Sequence, residues 1–475
     1  MLNKILFISL LISIGISAQN SVDKLKRDVD KILDQEFFES TQIALDVFDL
    51  TTEKQLYSKN SKLLFNPASN EKLFTTAAAL LFLPETFRFN TLFYYTGEIT
   101  GETLHGDLFV VGGMDPAFSS NDLDSLVTII DLTGISYIAG NIHADLSIKD
   151  SLYWGNGWMW DDDPDPTSPY LSALNINDNS IEVFVEAGLS DSIARITLIP
   201  ETEYVTVENN VLVHPFEPTD LTITRDWVNR KNHIIVDGTV RQGEIIDSTD
   251  HKEKLNLLNP EYYFLTLFRE KLAANGILVN GNLAVDDLPY GSKLIFYFER
   301  SIDSTLLSDI NKDSDNLRSE MLLYALALND SGVPAAIENG IEALNKLVDT
   351  LGFNRDDYSF ADGSGVSRYN LISSELVMEL LKFMYKEEHF EIFYNSLAIA
   401  GIDGTLEKRM IGAPAENNLH AKTGTLSGVS TLSGYVNAKN NHLLAFSILV
   451  QNYVEKSSFV RKIQDRICEV IANYK

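Results

Sequence analysis

The sequence predicts an α+β protein whose central sheet is assembled from the two ends of the chain, with a β-rich module inserted between them. Three observations predict it. Two strand-like runs near the start, "IALDVFDL" and "EKQLYSKN", form a hairpin pattern with no neighbours close in sequence. Two runs near the end, "VSTLSGYVNA" and "HLLAFSILVQ", have the same need for partners. Between them, from about Thr91 to Arg300, short β-rich runs dominate. A lone hairpin is marginal in water, so the simplest solution is one mixed sheet built from both ends, with helices on its faces.

Each element can be justified in order. "MLNKILFISLLISIGISAQN" has a basic residue at Lys4, an apolar run from Ile5 to Ile16 and small residues, Ser17 and Ala18, before Gln19. That is the layout of a secretory signal peptide, residues 1–18. A short membrane anchor is the competing reading, although the run is short for a span. Val22, Leu25, Val29, Ile32 and Leu33 follow helical spacing. The hairpin turns at Thr51-Thr52, and "NPASNEKLFTTAAAL" after it is helical by composition. In the middle region, "GDLFVVGG", "SYIAGNIHADLS", "IEVFVEAG", "HIIVDGTV" and "KLIFYFE" read as strands, "DDDPDPTSP" as a loop and "PEYYFLTLFREKLAANG" as a helix. Helices return after Ile302, and the chain closes on two strands and the amphipathic "FVRKIQDRICEVIANY". The expected division is a sheet-bearing domain split between 19–90 and 301–475, interrupted by a region of two nested domains at 91–300.

Composition narrows the function. The net charge of −29 and the lack of a dense basic patch argue against nucleic-acid binding and against adhesion to anionic lipid. The one cysteine, Cys468, excludes a disulfide within the chain and reads as a buried thiol on a helix. An exported protein of this size can rely on its core instead. The histidines, among them His105, His143, His214 and His251, have no ligand spacing, so no metal or organic cofactor is expected.

Three short motifs carry candidate chemistry. Ser69 and Lys72 are three residues apart at a helix start, so they share a face. Serine is a poor nucleophile unless a base takes its proton, and a lysine can do so when burial or a nearby cation lowers its pKa. Serine also favours helix starts and lysine is a good helix former, so the pair alone reads first as an ordinary helix start. Ser314, Asp315 and Asn316 precede a helix, either as a cap cluster or as a hydroxyl and an amide presented to substrate. Lys422, Thr423 and Gly424 open a strand, where Gly424 would let substrate lie flat and Lys422, Thr423 and Thr425 would receive a carboxylate. A routine hairpin edge is the alternative.

The three in this order form the signature of active-site serine enzymes that bind penicillin. Together with "PASNEKLFTTAAAL", "KDSDNLRSE", "DGSGVSRYN", "AGIDGTLEKRM" and "AKTGTLSGVSTLSGYV", the chain resembles the D-alanyl-D-alanine carboxypeptidase/endopeptidase family of class C low-molecular-mass penicillin-binding proteins, peptidase family S13. "VVGGMDPAF" and "WGNGWMWDDD" look like that family's inserted region, with Met114 where the family commonly has glycine. The likeness spans nearly the whole mature chain and is thin in roughly 195–300.

The resemblance implies a penicillin-binding, β-lactamase-like serine transferase fold. Its catalytic domain would carry an antiparallel five-stranded sheet flanked by helices and a helical subdomain. By the same resemblance Ser69 attacks the D-Ala-D-Ala carbonyl, Lys72 is its base, and Ser314 passes the proton to the leaving amine. Asn316 would bond the substrate backbone. Lys422 would keep the local field positive, and Thr423 and Thr425 would bind the terminal carboxylate. The backbone N–H groups of Ser69 and Thr425 would form an oxyanion hole, a kind of donor worth ~3 kcal/mol. Asp178 would meet the free amine of the stem peptide, or else be a turn aspartate beside Asn179. Arg368 would add a contact to the acidic end of a diaminopimelate side chain. Asp362 and Gly363 are read as shaping a loop, and Asp403 as holding a turn. The implied partners are peptidoglycan stem peptides and β-lactams as covalent inhibitors, in the periplasm of a Gram-negative-type cell. Peripheral association with the membrane or cell wall is compatible with this. The rival readings are a related esterase or β-lactamase-like hydrolase, an inactive envelope scaffold and a transpeptidase.

Overall fold

The structure, a computed structural model, describes residues 20–187, 193–242 and 252–475; the expected signal peptide lies outside them. The chain forms two compact units. One comprises the residues up to Leu83 with Asp303–Asp315 and Ile341–Lys475, and the other Pro84–Ile302 with Asn316–Gly340.

The first unit is built on one antiparallel sheet. Its order is Ala398–Ile399, Leu419–Leu426, Val429–Asn437, Leu443–Gln451, Gln42–Asp49 and Lys54–Lys59. The early hairpin therefore does join the closing strands, with Gln42 opposite Gln451 and Asp49 opposite Leu444. Five strands were expected, and the sixth is the two-residue edge Ala398–Ile399, too short for its pattern to show in sequence. Val429–Asn437 is buried along all but its last residue, its polar Ser430, Thr431 and Ser433 included. One face is covered by the helical stretch 20–33 and by Ser457–Ala472, whose Val460, Ile463, Ile467 and Ile471 pack with Leu25, Val29 and Ile32. Cys468 lies in this layer, and burial pushes its thiol pKa up, so it is a core residue as expected. The hydroxyl of Tyr435 donates to the Leu381 carbonyl of the helix Ser374–Lys386 at 2.8 Å. The helix Lys72–Phe82 is buried from Lys72 to Ala79, as its alanine-rich composition allows.

The second unit is mostly strand. A mixed five-stranded sheet runs Leu283–Val285, Ile142–Asp145, Leu108–Val111, Arg88–Tyr95 and Lys293–Ser301. Its core joins Phe93, Phe118, Phe264 and Phe268, the last two from the helix Pro260–Ala274. It also holds a small four-stranded sheet, Leu278–Val279, Tyr137–Ile138, Thr103–His105 and Glu98–Thr100, and two three-stranded sheets, one around Ser180–Glu186 and one around His233–Arg241. Arg225 and Asp163 form a buried ion pair, and Arg225 also donates to Asn256 Oδ1 at 3.0 Å. Among the described residues no helix is long and apolar enough to cross a membrane.

Candidate active site

Ser69 lies in the 3₁₀ turn Ala68–Glu71, which runs straight into the helix Lys72–Phe82. Ala68, just before it, has φ +45°, a conformation that an alanine holds only against strain. The neighbours enforce it. Asn66 Oδ1 accepts from the Ala68 N–H at 2.9 Å, Thr431 Oγ1 donates to the Pro67 carbonyl at 2.8 Å, and Asn70 Nδ2 donates to Ser433 Oγ at 2.7 Å.

Lys72 has no exposed surface. Its Nζ lies 3.2 Å from Ser69 Oγ and 2.6 Å from the Ser364 carbonyl. The three-residue spacing thus does put amine and hydroxyl together, and the Ser364 contact aims the amine. That carbonyl belongs to "DGSGVSRYN", a loop organised by the buried Asp362 carboxylate. Asp362 accepts from Gly365 N at 2.9 Å, Ser367 N at 2.7 Å and Asn370 Nδ2 at 2.6 Å. Gly365 has φ +85°, and a Cβ there would sit 1.9 Å from the Ala68 carbonyl oxygen, so the loop backs directly onto the serine turn.

Lys422 is also wholly buried, and its Nζ donates to Ser314 Oγ at 2.9 Å and to the Thr423 carbonyl at 3.0 Å. Burial first, then the charge of Lys72, push its pKa well below the ordinary lysine value, against a smaller opposing pull from Asp313. Ser314 sits at φ +66°, another left-handed non-glycine residue. The turn before it is tied to "GIDGT": Lys312 Nζ pairs with Asp403 Oδ2 at 2.6 Å, and Thr405 N donates to the Lys312 carbonyl at 2.9 Å. Asp403 also accepts from Ile399 N at 2.7 Å, so it holds this turn as expected.

Lys422, Thr423 and Gly424 do not open their strand; they lie within Leu419–Leu426. This placement matters. Ala400 N donates to the Leu419 carbonyl on the outer edge. Backbone groups alternate along a strand, so those of Ala421, Thr423 and Thr425 face the same edge. The neighbouring strand Ala398–Ile399 reaches only His420 and Ala421. At Thr423 and Thr425 that edge has no strand partner among the described residues. A Cβ on Gly424 would lie 2.9 Å from Ser69 N and 2.2 Å from Thr431 Oγ1, so glycine is what lets the strand meet the serine turn. The Thr425 side chain is exposed, while Thr423 Oγ1 donates to Thr405 Oγ1 at 2.8 Å.

Ser69, Lys72, Ser314, Lys422, Thr423 and Thr425 all belong to the first unit. Arg368 belongs there too, and its Nη1 donates to the Ser427 carbonyl at 3.1 Å. Asn316 opens the helix Asn316–Ser331 in the second unit, where its Nδ2 donates to the Thr167 carbonyl. Asp178 is likewise in the second unit, at φ +55°, with Lys254 Nζ at 2.7 Å and Arg318 Nη1 at 2.9 Å. Desolvation raises its pKa, but those two cations outweigh it and hold the carboxyl below its ordinary value. Among the described residues no cluster of His, Cys, Asp and Glu could hold a metal ion. Sequence reasoning missed the Ser364 carbonyl and the Thr405 hydroxyl. Backbone carbonyls carry no sequence signal, and Thr405 is distant in the chain from its partner.

The model of the D-Ala-D-Ala carboxypeptidase 3 (S13) family matches residues 25–474. The chain is 29% identical over 471 residues to a D-alanyl-D-alanine carboxypeptidase of an Actinomadura species, across 95% of this chain and 85% of that one. It is 27% identical over 425 residues to D-alanyl-D-alanine carboxypeptidase DacB of Haemophilus influenzae, across 89% and 88%. The crystal structure of penicillin binding protein 4 from Haemophilus influenzae shares the fold, with a TM-score of 0.80 at 24% identity over 94% of this chain and 99% of that one. A family model that spans nearly all described residues settles the assignment: the chain belongs to the D-Ala-D-Ala carboxypeptidase 3 (S13) family.

Proposed function

We propose that the chain is a serine-type D-Ala-D-Ala carboxypeptidase and D,D-endopeptidase that cleaves peptidoglycan stem peptides through an acyl-enzyme on Ser69. The observation that carries it is the buried Lys72 amine 3.2 Å from Ser69 Oγ, beside a second buried lysine bonded to Ser314. Lys72 takes the Ser69 proton as Oγ attacks the carbonyl carbon. The tetrahedral oxyanion forms between the N–H groups of Ser69 and Thr425. Ser314, held by Lys422, delivers a proton to the departing amine, and water then releases the acyl group.

Substrate lies along the strand edge at Thr423–Thr425, adding itself as a further strand. Asn316 bonds its backbone, and Thr423 and Thr425 take the terminal carboxylate of a carboxypeptidase substrate. Asp178 meets the ammonium of the stem peptide's diamino acid in exchange for Lys254 or Arg318, and Arg368 meets the acid at that side chain's end. In this reading the catalytic domain is split between 19–90 and 301–475, and 91–300 is the region inserted into it. The enzyme is exported through the segment 1–18 and works in the periplasm.

β-Lactams present a strained amide to the same serine and acylate it. Penicillin binding protein 4 of Haemophilus influenzae has been crystallised in complex with a β-lactam, which supports this reading. The test is incubation with a fluorescent penicillin beside Ser69→Ala, followed by intact mass. One lasting adduct, absent in the variant, supports the assignment. Rapid loss of penicillin without adduct points to a β-lactamase-like hydrolase. Intact, unbound penicillin overturns the catalytic assignment.

A further inference from the structure

All four tryptophans of the chain line one cleft of about 320 Å³ in the second unit. Trp154, Trp158 and Trp160 come from "YWGNGWMW" and Trp227 from the turn that follows the strand Asp220–Arg225; Tyr153 and Tyr170 join them. The rings brace one another. Trp160 and Trp227 lie 5.0 Å apart at 38°, Trp154 meets Trp158 edge-on at 5.3 Å, and Tyr153 stacks on Tyr170 at 6.2 Å. A Cβ on Gly155 would lie 2.2 Å from the Trp158 ring, so glycine leaves room for that indole.

This cleft is not ordinary core. Trp160 is 71% exposed and Tyr153 51%, although burying such rings is strongly favourable. The floor is firm and electrically balanced: Asp163 is matched by buried Arg225 and accepts from the Tyr170 hydroxyl at 2.9 Å. The rim carries one exposed cation, Arg230, 5.3 Å over the Tyr153 ring. Aromatic faces are electronegative and suit the C–H-lined faces of pyranose rings. A guanidinium supplies several donors in a fixed fork, suited to hydroxyl and acetamido oxygens. A few polar groups on an aromatic floor are what a sugar needs for orientation. Nucleobases would also stack, but a chain of net charge −29 disfavours their phosphates.

We propose that this cleft binds the glycan strand of peptidoglycan, with N-acetylated hexosamine rings stacked on Trp160 and Trp227 and their polar oxygens met by Arg230. The proposal rests on the reading that the chain acts on peptidoglycan. It would hold the strand while the catalytic serine works on the attached peptide.

Because every tryptophan lies at the cleft, tryptophan emission, excited selectively over tyrosine, reports on it alone. We would titrate the wild type, Trp160→Ala, Trp227→Ala and Arg230→Gln with glycan strands stripped of stem peptides, and separately with free stem pentapeptide. The expected result is a saturable emission change with stripped glycan, weakened about tenfold or more in each variant. The same variants should keep wild-type kcat/KM on free pentapeptide and lose about tenfold on glycan-linked substrate. No saturable change with stripped glycan overturns the proposal. So does an unchanged affinity in all three variants, or a cleft response to free pentapeptide alone. If the wild type fails to cleave pentapeptide, the proposed activity falls, while the glycan titration still decides the cleft.

Discussion

Lys422 Nζ lies 2.9 Å from Ser314 Oγ, and both Lys422 and Lys72 are completely buried. Two buried amines in one site are costly as two cations, and the lowered pKa of Lys422 expresses that cost. Lys72 Nζ, 3.2 Å from Ser69 Oγ, stands where a base for that serine would be needed. Lys72→Ala should leave the fold intact and slow acylation by penicillin by about 10²–10⁴-fold, the range of a general base. The second-order rate of adduct formation checks this; an unchanged rate would remove Lys72 from the mechanism.

The pKa of Lys422 has a consequence for stability. Its folded value is lowered, so between that value and the ordinary ~10.4 the unfolded chain binds a proton that the fold does not. Stability from this group therefore rises with pH across that window and falls as pH drops toward the folded value. Lys422→Met should flatten the trend. Urea midpoints for both proteins between neutral and alkaline pH would show it, and parallel curves would contradict it.

Gly424→Ala should damage the site from its floor. The new Cβ would meet Thr431 Oγ1 at 2.2 Å and the Pro67 carbonyl and Ser69 N at 2.9 Å. Overpacking of this kind costs about 1–3 kcal/mol. The serine turn would have to move, so acylation should fall much more than the melting temperature. Equal rates in variant and wild type would refute the close approach.

Asp362→Ala removes the carboxylate that gathers Gly365, Ser367 and Asn370. Leaving buried donors unmet costs about 1–3 kcal/mol each. The Ser364 carbonyl that aims Lys72 would be released with the loop. A lower Tm together with slower acylation is expected; a lower Tm with full activity would show that the loop does not position Lys72.

Asp178→Asn tests recognition in place of chemistry. Its carboxylate is already matched by Lys254 and Arg318, so an incoming ammonium gains only by exchange. KM should rise severalfold for stem peptides with a free amine, while acetylated peptides and kcat stay unchanged. A uniform loss on both substrates would mark the residue as structural.

How much was legible in the sequence differs between residues. Ser69 and Lys72 were legible because three-residue spacing on a helix dictates proximity, whatever surrounds them. The last closing strand was legible because Leu443–Gln451 is an almost unbroken apolar run, buried on both faces. The two-residue edge Ala398–Ile399 was not, since it is too short for periodicity. Lys422 was placed at the start of its strand, yet the strand begins at Leu419, because pairing with Val429–Asn437 sets its limits.

By itself, the sequence determined the local order: a serine and its amine one turn apart, a hydroxyl before a helix, a lysine and a glycine on a strand, and a sheet closed from both ends. Only the tertiary structure decided that the two lysines are buried, that Lys422 meets Ser314 across 108 positions, and that Thr423 and Thr425 lie beyond the reach of the neighbouring strand Ala398–Ile399. The reason is physical. Helix spacing and strand alternation are local properties of the chain, whereas burial, pKa and edge exposure depend on which distant segments pack against a residue.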